Sequence, residues 1–164
     1  MLTNETLKQA KSYAEAGQWV DLLKHSQSWQ RESPENYLPY YYLGIAYHNL
    51  HLLSESEAAY RKAISSDAGD AKVWDNLGIV LWDMGRREDS IFFHRKALEV
   101  DPSLQNAWLN LGISYGTMGK HKHAEQAFRS ALAIGSPTKA IVQNLVVGID
   151  KQGKTDEAYQ FLDE

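Results

Sequence analysis

Apolar residues recur along this chain at helical spacing, and the helical stretches themselves recur. Near the amino terminus Leu7, Ala10, Tyr13 and Ala14 share one face of a helix that Gly17 ends. Trp19, Leu22, Leu23 and Trp29 form a second stripe directly after it. Farther on, the same arrangement returns on a ruler of 34 residues. Trp74, Leu77, Gly78, Leu81, Gly85, Ala97 and Pro102 are followed by Trp108, Leu111, Gly112, Tyr115, Gly119, Ala131 and then Ser136-Pro137. One step back lie Tyr40, Leu43, Gly44, Tyr47 and Ala63, and one further step gives Tyr13, Gly17 and Pro34. One step forward from the Trp108 unit lie Val142, Leu145, Ile149, Gly153 and Ala158. No gap is needed. The ruler divides residues 3–164 into one array of units 3–36, 37–70, 71–104, 105–138 and an incomplete 139–164, each expected to be a helix, a turn and a second helix.

A fixed period of this length is the mark of stacked supersecondary units, each unable to bury its apolar face alone. The pattern W-x2-L-G-x2-Y at this period resembles the tetratricopeptide repeat (TPR) family, most closely in units 71–104 and 105–138. The resemblance implies an all-α fold, a right-handed TPR superhelix or α-solenoid of antiparallel helix pairs. It also implies a concave groove, lined by the first helix of each unit, that holds a partner's peptide or helical segment.

Local signals agree with that frame. Ser33-Pro34, Asp101-Pro102 and Ser136-Pro137 punctuate the junctions, and are expected to cap and open the helix that follows each. Ser54-Glu55-Ser56-Glu57 reads as a capping box. His51 stands where the other four units carry Gly, so its turn is expected to be strained. Lys8, Gln9 and Lys11 make the first unit more polar than its successors, as a terminal repeat with one uncovered face requires.

By register, the groove side of the first helices carries two rows. The first is Tyr42, Asn76, Asn110 and Asn144. The Asn amides can both donate to and accept from an extended backbone, and the row resembles the asparagine ladder in the TPR region of O-linked N-acetylglucosamine transferase. The second is Ile45, Ile79, Ile113 and Val147, flanked by Leu38, Tyr41, Trp82 and Leu109. Facing the groove, these form an apolar stripe of the kind that marks a binding surface; a small rotation of the helices would make them core instead. TPR domains that clamp a terminal carboxylate use paired Lys, Asn and Arg residues on successive first helices. The matching places here are Tyr41, Ile45, Asn76, Asn106 and Asn110, with no cationic pair, or, one unit earlier, Leu7, Lys11, Tyr42, Lys72 and Asn76, still without the Arg. Acidic chaperone tails are therefore not the expected ligand.

Composition narrows the partner. A net charge of −4 over 164 residues gives no support to nucleic-acid binding. No run approaches the roughly 20 apolar residues of a membrane span, and the amino terminus lacks the apolar core of a signal peptide, so a cytoplasmic location is expected. The chain has no Cys, which removes disulfides and thiolate chemistry. His48 with His51, and His121 with His123, lack a third ligand at a metal-binding spacing, and no metal or cofactor is expected.

Gly148-Ile149-Asp150-Lys151-Gln152-Gly153-Lys154-Thr155 satisfies the phosphate-binding pattern G-x4-G-K-[ST]. The ruler, however, assigns Gly153 to an inter-helix turn, and nine residues remain after Thr155, too few for the sheet such a site needs. No catalytic residue is assigned. The expected function is to bind an apolar or amphipathic segment of a partner protein. The alternatives are the TPR region of a longer enzyme or regulator such as a glycosyltransferase, and a dedicated secretion or assembly chaperone. Because the fifth unit is abbreviated, apolar surface near Leu145, Ile149 and Phe161 is expected to lie open. A natural continuation of the chain, or the same end of a second copy in a homodimer, would cover it.

Overall fold

The computed structural model describes residues 2–158, which form helices joined by short turns. In order these are α1 (Leu2–Glu15), α2 (Trp19–Glu32), α3 (Tyr37–Asn49), α4 (Leu53–Ser66), α5 (Ala71–Asp83), α6 (Arg87–Val100), α7 (Gln105–Thr117), α8 (His121–Ile134) and α9 (Lys139–Asp150). Residues 155–158 begin a further helix. They fall into two compact units, Met1–Arg86 and Arg87–Glu164.

Each helix pair closes through the same residue of the ruler. Gly17, Gly85, Gly119 and Gly153 all have positive φ, between 67° and 80°, as does His51 at 60°. His51 thus holds the left-handed backbone without glycine's exemption from the steric penalty.

Between pairs a second device repeats. The Tyr40 hydroxyl donates to the carbonyl of Pro34 at 2.9 Å. Trp74 Nε1 donates to Ala68 at 2.8 Å, and Trp108 Nε1 to Pro102 at 2.9 Å. Each aromatic reaches back six residues to the loop before its own helix, giving its polar tip a partner while the ring packs.

The helix caps differ from expectation. The Ser-Pro and Asp-Pro pairs lie in the loops and open no helix. The caps are Asn36, whose Oδ1 accepts from the Leu38 amide at 2.9 Å, Asp70, accepting from Lys72 at 2.9 Å, and Thr138, accepting from Ile141 at 3.3 Å. Asp101 instead folds a local turn by accepting from the Ser103 amide and hydroxyl. The capping box is also corrected. Helix α4 begins at Leu53 with no side-chain cap, so Ser54 is already helical. Ser56 turns inward and its hydroxyl donates to the Gly44 carbonyl at 2.8 Å.

In the unit of residues 1–86, Ala10, Leu22, Trp29, Tyr42 and Ala46 form one apolar cluster, and Tyr60 is buried against Gly44. In the unit of residues 87–164, Ala124, Phe128, Leu145, Ile149 and Ala158 form another. Leu145 and Ile149 are fully buried there, so the open apolar end expected at them is not present. The turn after α9 brings Ala158 into the same cluster. Phe161, also expected at that end, lies outside the described residues. Among the described residues, no helix is long and apolar enough to cross a membrane.

Candidate functional site

The expected groove residues sit on the first helices of their repeats, and the two units treat them differently. In residues 1–86 the gap between α3 and α5 is bridged by polar side chains. At one end the Tyr37 hydroxyl donates to Asp70 Oδ2 at 3.1 Å. Burial, and then the neighbouring Asp70 charge, push the Tyr37 phenol up to about 12. At the other end His48 Nε2 lies 2.6 Å from Asp83 Oδ2. Between them Tyr41 is half-buried with its ring edge-on to Tyr42, 5.2 Å between centroids. Burial raises the Tyr41 and Tyr60 phenols, and hydrogen bonding to Asn76 opposes both shifts.

Tyr42, grouped with the asparagine row by register, is 6% exposed and stacks on Trp29 at 6.3 Å, so it belongs to the core. A tyrosine is too large to stay in the row when a buried indole lies beside it. Ile45, Ile79 and Trp82 are each half-buried.

In residues 87–164 the corresponding gap, between α7 and α9, is open. Gly112, Ile113, Gly116, Ala124, Phe128, Asn144, Val147, Gly148, His121, Thr117 and Lys151 surround a cavity of about 220 Å³. Three expected residues, Ile113, Asn144 and Val147, are brought together at it. Val147 is 55% exposed. Ile113 and Leu109 are half-buried and pack on the Phe128 cluster. Asn110 is half-buried as well. Asn144 donates to the Ala140 carbonyl of its own helix at 2.9 Å, and its side-chain oxygen has no bond from a described residue.

The 34-residue comparison explains the opening. Gly116 replaces His48 and Trp82, Gly148 replaces Ala46, Val80 and Ser114, and Lys151 stands at the position of Asp83. Neither glycine has positive φ, a Cβ on Gly148 would meet nothing within 4 Å, and one on Gly116 would touch only Ala124 at 3.7 Å. Packing does not demand them. Sequence reasoning missed Gly116, Gly148 and Lys151, although the same ruler carried the signal as side chains lost at inward positions.

A second depression recurs in both units at one register and is a product of the repeat itself. It is lined in part by Tyr40, Leu43, Tyr47 and Ala59 in one (about 290 Å³) and by Trp108, Leu111, Tyr115 and Ala127 in the other (about 310 Å³).

The phosphate-binding pattern is not a loop. Gly148 to Asp150 are helical, Gly153 has φ 77°, and Lys154 Nζ lies 3.2 Å from Glu125 Oε2. Among the described residues, no three His, Asp or Glu side chains are grouped to hold a metal ion.

The tetratricopeptide repeat pattern matches residues 39–70, 71–104 and 105–134, more than half of the chain. The chain belongs to the tetratricopeptide repeat family. Solved TPR structures share its fold. MamA from Desulfovibrio magneticus RS-1 is 16% identical with a TM-score of 0.80, over 96% of this chain and 92% of MamA. Pseudomonas aeruginosa pilF is 19% identical with a TM-score of 0.89, over 98% of this chain and 73% of pilF. A TPR protein from Parabacteroides merdae is 19% identical with a TM-score of 0.79, over 98% and 64%. Identities this low speak for the TPR fold alone. Among curated proteins none matches the sequence significantly.

Proposed function

We propose that this TPR chain is an interaction module that holds a segment of a partner protein against the first helices of its repeats and carries no catalysis of its own. The observation that carries this reading is the contrast between equivalent gaps. Polar side chains span the one between α3 and α5, while the one between α7 and α9 holds a cavity beside an exposed Val147. An apolar side chain left 55% exposed at the mouth of an apolar cavity is surface that binding would desolvate.

The ligand suited to this surface is an apolar or amphipathic protein segment. Affinity comes from apolar area at Ile113 and Val147, and orientation from a few polar groups such as the Asn144 oxygen. A photo-crosslinking amino acid at position 147, introduced in the native host, tests it. A discrete protein adduct is expected there, and none from the same probe at Phe92, which is 52% exposed on α6. Equal labelling from both positions, or none from position 147, would defeat the proposal.

A further inference from the structure

The cavity between α7 and α9 has a chemical asymmetry that specifies its occupant. Its apolar lining is Ile113, Ala124 and Phe128 with Val147 at the mouth, and its charged or titratable lining groups are His121 and Lys151, with no carboxylate. Helix α8 starts beside it at His121, preceded by Lys120 at its N-cap, in a chain whose net charge is −4. At the same register in residues 1–86, His48 meets Asp83 across the α3–α5 gap at 2.6 Å. Across α7–α9 the sign is reversed and one member is missing, since Lys151 replaces Asp83 and Gly116 replaces His48. The Lys151 ammonium has no ion pair among the described residues.

We propose that this cavity takes one bulky apolar side chain of a partner peptide while an acidic side chain next to it in that peptide pairs with Lys151. The inference rests on the interaction-module reading above and adds the recognition element to it. Size agrees: an apolar cavity of about 150 Å³ accepts benzene, and this one measures about 220 Å³. Charge complementarity selects the flank, because an acidic neighbour meets Lys151 and His121, whereas a basic one would be repelled by the ammonium. A side-chain carboxylate suffices, since one ammonium acts as a point charge and offers no paired fork for a chain terminus.

The test is selection from a displayed library of random 12-residue peptides with blocked carboxyl ends, panned on the full chain. The enriched peptides are expected to share one large apolar residue beside Asp or Glu. Gly148→Met fills the cavity from a position where a Cβ meets nothing within 4 Å, and should weaken them at least tenfold with the melting temperature preserved. Lys151→Glu, on an exposed residue, should weaken them similarly and be rescued by exchanging the peptide's acid for Lys. Gly148→Ala is the milder filling variant should the methionine disturb folding. Three outcomes would overturn the proposal: no enrichment, enrichment of basic or uncharged peptides, or binding indifferent to both Gly148→Met and Lys151→Glu. Peptides indifferent to these two but lost with Ile79→Asp would sink the cavity assignment and leave the interaction module standing; failure of the crosslink at position 147 would strike the module itself.

Discussion

Lys154 Nζ lies 3.2 Å from Glu125 Oε2, and 68 residues earlier, twice the repeat, Arg86 Nη1 meets Glu57 Oε1 at 2.8 Å. Both cations follow the left-handed glycine of a repeat and reach back to the second helix of the preceding one, where Arg61 or Arg129 binds the same carboxylate. The lysine of the phosphate-binding pattern therefore does the work of Arg86. Millimolar ATP or GTP with magnesium should leave the melting temperature unchanged. A site with a Kd a hundredfold below the ligand concentration would add about 2.7 kcal/mol, and scanning fluorimetry would register it. Lys154→Ala should cost only about 0.5 kcal/mol, as a partly exposed pair does.

Glycines of this chain should respond to alanine with opposite signs. A Cβ on Gly112 would stand 2.4 Å from Phe128 Cε1, and one on Gly44 would stand 2.5 Å from Tyr60 Cε1. Both rings are buried, so the backbone must shift, and Gly112→Ala or Gly44→Ala should destabilise by about 1–3 kcal/mol. Gly148→Ala enters open space within a helix and should stabilise by up to about 1 kcal/mol. Urea unfolding of the three variants decides. A loss at Gly148 equal to that at Gly112 would mean the cavity beside Gly148 is not open.

His51 carries φ 60° in a turn where the other repeats place glycine. The His51→Gly variant should be more stable by about 1 kcal/mol, the left-handed penalty released less glycine's extra unfolded-state entropy. Thermal melts compare the two directly, and a lower melting temperature for the variant would show that the imidazole makes a compensating contact.

Alkaline pH should loosen residues 1–86. Burial pushes Tyr42 up to about 12, and Tyr60 well above the usual phenol value of 10. A folded pKa above the unfolded one means the folded state holds its proton more tightly. The stability this contributes is complete below pH 10 and is lost as pH climbs from there toward the folded values. The melting temperature should fall above about pH 10, and less steeply in Tyr60→Phe, which keeps the ring over Gly44. Parallel pH profiles for the two proteins would contradict the assignment.

Much of the fold was legible because a repeat states each constraint several times. The position of Gly17, Gly85, Gly119 and Gly153 read correctly as a turn, and His51 as strained, from alignment alone. The caps were misread because Ser, Asp and Pro are conspicuous in a loop, whereas Asn36, Asp70 and Thr138 look ordinary until the helix start is known. Tyr42 was misplaced because register says which way a Cβ points but not what already occupies that space, here Trp29. The α7–α9 cavity escaped notice since it is made of atoms that Gly116 and Gly148 lack. A search for chemistry-bearing side chains passes over such positions.

The bonds from Tyr40, Trp74 and Trp108 to carbonyls six residues back give the repeat a fixed gauge. A residue inserted between 102 and 108 would move the carbonyl out of the indole's reach and break that bond. Extra residues in the loops before α3, α5 and α7 would break this bond. Relatives of this chain that acquire extra residues should carry them elsewhere, and the ungapped spacing of 34 is what such a gauge leaves behind in the sequence.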